Sequence, residues 1–345
     1  MWVTSSTDKV LTPSAIALGN FDGLHRGHQR VLQPILQQAS AVIGCPASAQ
    51  EVVRDSQYPY ATVVTFNPHP QEFFTGQSKQ LLTPLPEKVK LLEQLGVEQL
   101  VLLPFDRELA ALSPQQFVEE ILMRQLQATR ISVGEDFRFG HKRAGTAEDL
   151  RAIAAKFGVE VVITSLQTCQ GNESEQPTPR ISSSAIRQAL AEGDIARANR
   201  MLGRAYTLMG TVVKGQQLGK TIGFPTANLQ LPPTKLLPRY GVYCVKVFLE
   251  GEEGETGRLP EGKNIITQSS IKGVMNIGCR PTVAGNTPTV EVHLLDWAGD
   301  LYGRTLTVSL EKFLRPEQKF PSIDALKAQI AFDCDLARKI LERAT

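Results

Sequence analysis

The stretch Gly19-Asn20-Phe21-Asp22-Gly23-Leu24-His25-Arg26-Gly27-His28 decides how the first half of the chain is read. It follows a short apolar run, Ala15–Leu18, and leads into residues whose Val31, Ile35 and Leu36 fall on one helical face. A strand therefore turns here into a helix. The turn sets two histidines and several backbone N–H groups at the helix N-terminus, where the macrodipole favours a phosphate. Glycines let the backbone approach an anion closely. The chain contains no Gly-x-x-x-x-Gly-Lys-Ser/Thr and no Gly-x-Gly-x-x-Gly, so neither a P-loop nor the usual dinucleotide fingerprint is present. His25 and His28 beside a phosphate fit stabilisation of the charge that builds when an α-phosphorus is attacked and pyrophosphate leaves. The alternative is metal ligation by His25 and His28 with His69, although no Cys or carboxylate cluster accompanies them.

Outward from this stretch, strand and helix alternate. Tyr60–Phe66 is β-branched and aromatic, as a buried strand requires. Thr83-Pro84 opens a helix striped by Val89, Leu92 and Leu95 and stopped at Gly96. Gln99–Leu103 is a strand, Ser113-Pro114-Gln115-Gln116 a capping-box helix start, and Arg130–Val133, a helix after Thr146, and Val159–Thr164 continue the series. This pattern predicts a doubly wound parallel sheet with helices on both faces and ligands at the carboxyl ends of the strands. Beyond residue 205 the rhythm changes. Tyr206–Lys214, Val242–Leu249, Ile271–Ile277, Thr289–Asp296 and Thr305–Phe313 are strand-like and separated by Gly/Pro turns, which predicts a small antiparallel β-barrel. A terminal helix capped by Ser322 presents Ile323, Leu326, Ile330, Ala337 and Leu341 inward. The join falls at 193–205, giving domains 1–197 and 198–345. Residues 44–57, 168–179 and 250–261 read as loops.

The bulk properties agree with two soluble domains. The chain has 345 residues, more than one hydrophobic core usually organises, with 42% hydrophobic and 21% charged residues. A net charge of +2 gives no long-range attraction to nucleic acid or an anionic membrane. No signal peptide or membrane-length apolar run is recognised. The five cysteines, Cys45, Cys169, Cys244, Cys279 and Cys334, are scattered and form no metal or disulfide pattern, as expected of a cytoplasmic protein.

His-x-Gly-His after a first strand resembles the nucleotidylyltransferase signature, and the longer string Gly19–His28 is similar to the FAD synthetase branch, whose domain transfers AMP from ATP to FMN. Three more strings match that family in order: Thr65-Phe66-Asn67-Pro68-His69-Pro70, Val133-Gly134-Glu135-Asp136-Phe137-Arg138-Phe139-Gly140, and Ile181-Ser182-Ser183-Ser184-Ala185-Ile186-Arg187. The resemblance implies ATP contacts from Gly19, Phe21, His25, His28, Ser183 and Arg187. It implies flavin contacts from Asn67, Asp136 and Phe137. Phe137 and Phe139 fit either packing against a flat isoalloxazine ring or an ordinary core. Ser184 stands where the family usually has Thr and keeps the hydroxyl.

In the second half, Gly219-Lys220-Thr221-Ile222-Gly223-Phe224-Pro225-Thr226-Ala227-Asn228 reads as a rigid turn at Gly223 and Pro225, followed by two oxygen donors on one side of an extended segment. Such hard donors suit Mg²⁺ shared with ATP phosphates. Gly273–Gly278 with Arg280-Pro281-Thr282, Glu291–Asp296, and Arg315–Phe320 complete a set that resembles the riboflavin kinase family. Alternation puts Glu291, His293 and Leu295 on one strand face, read here as the inward one. The resemblance implies that Thr226 and Asn228 hold Mg²⁺, that Glu291 takes the proton of the attacking ribityl hydroxyl, and that Arg315 contacts ligand. Lys220, where the family often has Arg, and the 250–261 insertion are departures.

Together the two sets point to a bifunctional enzyme that phosphorylates riboflavin to FMN with ATP and adenylylates FMN to FAD. A single-activity enzyme with a regulatory barrel is the runner-up. An RNA-binding protein built on the synthetase-like fold would draw on the basic group Arg138, Lys142, Arg143 and Arg151, which also suits a phosphate or solvated face. A non-catalytic flavin store leaves Glu291 and the histidines without a task.

Overall fold

The computed structural model describes residues 1–40, 58–165, 180–215, 218–249, 256–258, 264–266, 270–282 and 285–343. The loops read at 44–57 and 168–179 lie outside them, as does most of 250–261. The chain parts into two compact units, Met1–Ser183 and Ser184–Thr345.

The first unit runs β1 (Trp2–Thr4), β2 (Ser14–Leu18), α1 (Arg26–Ser40), β3 (Tyr60–Asn67), α2 (Pro70–Thr75), α3 (Leu85–Gln94), β4 (Gln99–Pro104) and α4 (Arg107–Ala111). It continues with α5 (Pro114–Gln116, extended by a π-helical stretch Phe117–Gln125), β5 (Ala128–Gly134), β6 (Arg138–Phe139), β7 (Gly145–Thr146), α6 (Ala147–Ala155) and β8 (Glu160–Thr164). Six strands form one parallel sheet in the order β1-β4-β3-β2-β5-β8. From β2 the chain winds outward through β3 and β4, then returns to β5 on the other side of β2. The crevice at the carboxyl ends of β2 and β5 is thus a topological switch point, where open α/β sheets bind ligands.

Alternation along β2 explains the layers. Ile16 and Leu18 pack with Phe117, Leu122 and Leu150 on one face. Ala15 and Ala17 pack with Leu32, Ile35 and Leu92 on the other, the small alanines admitting α1. Helices therefore cover both faces, as the alternating pattern predicts. Ser113 and Thr146 each make a full capping box, starting α5 and α6 where the sequence places them.

The second unit carries α7 (Ser183–Glu192), α8 (Ile195–Leu202), β9 (Tyr206–Val213), α9 (Leu218–Thr221), β10 (Ala227–Gln230), β11 (Gly241–Leu249), β12 (Thr256–Arg258) and β13 (Asn264–Ile266). After these come β14 (Ile271–Thr282), β15 (Gly285–Leu294), β16 (Thr305–Arg315) and α10 (Ile323–Glu342). Strands β10-β15-β14-β11-β16-β9 close an antiparallel barrel, so this sheet has no open edge. Its sixth strand, β10, starts at Ala227 within the Gly219–Asn228 string that reads as a turn with donors, and runs on to Gln230. The 250–261 region holds β12, which pairs with β13 as a separate ribbon rather than looping throughout.

Tyr243, Met275, Ile277, Val292 and Val308 fill the barrel with no exposed surface. α10 lies outside, where Ile330, Cys334, Ala337 and Leu341 meet Val242, Cys244 and Val274. Full burial of one such aliphatic side chain stabilises by about 1.5–3 kcal/mol. Ile323 departs from the expected inward stripe and is 63% exposed, because it stands in the first turn, before the helix reaches the barrel. Asn199 Nδ2 donates to the Leu310 carbonyl at 2.9 Å, and its Oδ1 accepts from the Tyr206 amide at 2.8 Å. α8 is therefore tied to the barrel, and the line at 197/198 passes through it.

Candidate active sites

A cavity of about 670 Å³ opens in the first unit at the switch point. Gly19, Phe21, His25, His28 and Ser183 line it on the β2 side, and Asp136 and Phe137 beyond β5. The loop after β2 is clamped by Asp22, which is 5% exposed. Its Oδ1 accepts from the Leu82 and Thr83 amides at 2.9 and 3.2 Å, and Gly23 N donates to Thr83 Oγ1 at 2.9 Å. Ser183 Oγ donates to the Asp22 carbonyl at 2.8 Å, and Lys88 Nζ to that of Asn20 at 2.9 Å.

This clamp presents the two histidines as a stacked pair, ring centroids 3.6 Å apart and planes 13° apart. A Cβ on residue 27 would come within 3.2 Å of the His25 ring, so Gly27 makes room for the stack. His28 N donates to His25 Nδ1 at 3.2 Å. That leaves the proton of neutral His25 on Nε2 as a donor. Desolvation by burial brings the His25 pKa down to about 4. It also holds His28 well below the usual histidine range, reinforced by His25 and Lys88. Both rings are neutral donors near pH 7. His28 Nδ1 is buried with no hydrogen-bond partner among the described residues.

The opposite wall is aromatic and basic. Phe137 is half-buried and stacks on Phe139 at 5.7 Å, whereas Phe139 is 4% exposed and belongs to the core. Asp136 pairs with Arg180. Phe66, Phe74 and Phe105 add an edge-packed group, with Phe66 and Phe74 5.5 and 5.8 Å from Phe105. Phe74 is 71% exposed although it lines the cavity. Asn67 precedes a cis peptide to Pro68 and is not among the lining residues, although Phe66 and His69 are. His69 caps α2 by accepting from the Gln71 amide at 3.1 Å. Among the described residues no group of three or more His, Cys, Asp or Glu is placed to hold a metal. Arg187 lies on α7, in the second unit.

The second unit has its own cavity, of about 440 Å³. Thr226, Asn228, Asn276, Glu291, His293 and Arg315 line it. In the ladder Glu291 stands opposite both Asn228 and Asn276. Thr226 Oγ1 and Glu291 Oε2 are 3.5 Å apart. The inward reading of Glu291 is corrected here. Val290 and Val292 face the filled barrel, so Glu291 and His293 project from its outer wall, the face that α10 partly covers. His293 Nδ1 donates to the Pro225 carbonyl at 2.7 Å and its ring meets Phe224 edge-on, pinning the turn that carries Thr226. Gly223 takes a φ of 91° at the end of α9. Gly223 and Pro225 shape the turn, while Ile222 and Phe224 supply its cavity surface.

Arg315 is tied to Asp333, Nε donating at 3.0 Å and Nη2 at 2.8 Å to Oδ2, and Gln329 Nε2 donates to Oδ1 at 2.9 Å. Phe320 packs beside the guanidinium at 5.6 Å. The side chains of Lys220 and of Arg280-Pro281-Thr282 lie outside the described residues.

Two family models match in this same order. FAD synthetase covers residues 7–178 and riboflavin kinase residues 202–341. Curated proteins named bifunctional riboflavin kinase/FMN adenylyltransferase align along nearly the whole chain. The Escherichia coli K12 protein is 42% identical over 94% of this chain and 91% of its own length. The chain belongs to the bifunctional riboflavin kinase/FMN adenylyltransferase family. Its relatives from Haemophilus influenzae, 36% identical over 96% of both chains, and Bacillus subtilis, 33% identical over 93% and 90%, bear the same name. A crystal structure described as a macrolide-efflux protein from Streptococcus pneumoniae is 29% identical, with a TM-score of 0.77 over 97% of this chain and 98% of that one. Among the described residues no helix is long and apolar enough to cross a membrane. The adenylyltransferase and kinase assignments thus fall on separate units, each with its own cavity.

Proposed function

We propose that the two activities, riboflavin kinase and FMN adenylyltransferase, are run by the two cavities separately, FMN leaving the barrel site and entering the N-terminal one. The observation that carries this division is that His25, His28, Asp136 and Phe137 line a cavity of the first unit, and Thr226, Asn228, Glu291 and Arg315 one of the second. By function the adenylyltransferase is placed in 1–197 and the kinase in 198–345. Because α8 spans that line and binds the barrel, a fragment meant to fold should begin at Ser184.

In the adenylyltransferase, Gly19 and Phe21 shape the ATP-binding turn, and His25 Nε2–H and His28 meet the phosphate chain. Being neutral and desolvated, the pair donates without a bound counter-ion and strengthens its bonds as charge develops in transfer. Ser183 and Arg187 serve the same phosphates, the arginine on the strength of its motif. Phe137 and Asp136 face the flavin, supported by their positions on the wall. Asn67 is assigned to it by its motif alone.

In the kinase, Glu291 accepts the ribityl hydroxyl proton. Thr226 and Asn228 are the Mg²⁺ ligands, a set of hard oxygen and amide donors beside a carboxylate that fits this ion. Mg²⁺ supplies neutralisation of phosphate oxygens. Gly223 and Pro225 hold the turn against the ATP, and Arg315, oriented by Asp333, reaches the ligand. The described cysteines, Cys244, Cys279 and Cys334, are free thiols, which suits the cytoplasm where we place the enzyme.

Incubation of the purified protein with riboflavin, ATP and Mg²⁺, with chromatographic separation of the flavins, tests the reading. FMN should appear first and FAD after it. FAD absent when FMN is supplied directly would remove the N-terminal assignment, and riboflavin left unconsumed would remove the barrel assignment.

A further inference from the structure

The two sites must handle flavins that differ only by a phosphate. Isoalloxazine contacts alone, such as those of Phe137, cannot tell FMN from riboflavin. A separate feature of the N-terminal cavity can. Arg138, Lys142 and Arg143 all line it, and all three are exposed. Arg151, the fourth cation of this group in the sequence, is neutralised by Glu148 at 2.7 Å. The other three have no ion-pair partner among the described residues. Arg138 donates Nη1 to the Phe137 carbonyl at 3.0 Å and senses Asp149 only through space.

The turn that carries them is held in an uncommon shape. Lys142 and Arg143 are consecutive left-handed residues, with φ of 51° and 59°. Such a conformation in two non-glycine residues persists only where surroundings impose it, and it concentrates at functional sites. Here the Arg143 amide donates to the Gly140 carbonyl at 2.9 Å and the His141 amide to that of Leu112 at 2.7 Å. A Cβ at Gly140 would come within 2.8 Å of Pro114, so the turn is seated directly on the start of α5. Three uncompensated cations on a fixed turn at a cavity wall are a site for a polyanion.

We propose that Arg138, Lys142 and Arg143 form a subsite for the phosphate monoester of FMN, through which the adenylyltransferase selects phosphorylated flavin against riboflavin. The turn follows directly from Asp136 and Phe137, so it belongs to the flavin wall. The triphosphate of ATP has donors of its own at the His25–His28 pair. The inference rests on the reading of Asp136 and Phe137 as that wall.

The test uses the full-length enzyme and steady-state FAD synthesis from FMN and ATP. Lys142→Asn/Arg143→Asn removes both charges while asparagine tolerates the left-handed backbone. Removing either exposed charge should raise the FMN KM about 3-fold, and removing both should raise it about 10-fold. The ATP KM should stay as in the native enzyme, and so should the inhibition constant of riboflavin against FMN, read in a Glu291→Gln background where riboflavin is not turned into the substrate. The FMN KM of the native enzyme should also rise with NaCl more steeply than that of the double variant. An unchanged kcat for FAD synthesis at saturating FMN, with an unchanged thermal midpoint, reports that the first unit is folded in the same preparations. An unchanged FMN KM, a riboflavin constant that rises in step with it, or a rise confined to the ATP KM would overturn the proposal, the last assigning the cations to the triphosphate. Phe137→Ala separates the two failures. If it leaves both the FMN KM and the riboflavin constant untouched, the flavin-wall reading fails. If it weakens both flavins while the double variant changes nothing, only the phosphate subsite fails.

Discussion

Asp22→Ala should unfasten the adenylyltransferase loop. The carboxylate is buried, and its Oδ1 holds the Leu82 and Thr83 amides, sixty residues away in sequence. Leu82 and Thr83 are themselves 0% and 2% exposed, so water cannot replace the missing acceptor. Two buried N–H groups left unsatisfied cost about 1–3 kcal/mol each, or about 2–6 kcal/mol together. For a unit of 183 residues, about 3 kcal/mol lowers the midpoint of thermal unfolding by roughly 6–12 °C. Asp22→Asn retains an acceptor oxygen and should cost about 1 kcal/mol. FAD synthesis should fall in Asp22→Ala even below the transition, since the same loop presents His25 and His28, while riboflavin phosphorylation persists. Calorimetry with both activity assays checks this. If Asp22→Ala unfolded with the native protein, or no earlier than Asp22→Asn, the carboxylate would not be the clamp.

Acid should weaken the first unit before the carboxylates titrate. With the His25 pKa at about 4 in the folded state against 6.5 in the open chain, its contribution is complete above pH 6.5. It is lost as the pH falls toward 4, about 3 kcal/mol at the end, as the unfolded chain takes up a proton that the folded one refuses. His28 and His69 shift in the same direction, and a thermal series across pH 4–7 should flatten in His25→Gln. In the kinase half, Asp333→Ala strands the Arg315 guanidinium, whose side chain is only 17% exposed, and should destabilise the barrel by about 3–5 kcal/mol by calorimetry. Thr226→Ala should raise the Mg²⁺ concentration needed for FMN formation without lowering the rate at saturation, measured by magnesium titration.

The elements with a clean period were legible from sequence. β2, β3 and β5 are short apolar runs, and Ser113 and Thr146 cap helices through chemistry local to a few residues. β10 was not, because Ala227–Gln230 has only four residues, half of them polar, and closes the barrel through partners far along the chain. The side taken by Glu291 was also hidden. Period two places Glu291 and His293 together and Val290 and Val292 opposite, but both faces of β15 meet apolar neighbours, so alternation alone cannot say which is interior. Among site residues, most of those in contiguous strings line one of the two cavities, Asn67, Arg187, Gly223 and Pro225 excepted, and those joined only by folding escaped. Arg180 meets Asp136 across forty-four positions, and Asp333 meets Arg315 across eighteen, from a helix whose pattern shows only its apolar stripe. Phe74 and Phe105 stand in none of the strings, and nothing local marks an aromatic as lining a cavity.

The separation of the two chemistries is tested most directly by mixing two disabled enzymes. His28→Ala removes a donor to the transferred phosphate and should slow FAD formation by about 10²-fold or more while FMN accumulates from riboflavin. Glu291→Gln keeps the size of the base without its basicity and should slow FMN formation by about 10²-fold or more while FAD is still made from supplied FMN. Neither alone should convert riboflavin to FAD at a useful rate. An equimolar mixture given riboflavin, ATP and Mg²⁺ should restore FAD synthesis, with FMN passing through solution from one protein to the other. A mixture as inactive as its parts, or either variant losing both activities equally, would contradict two independent sites.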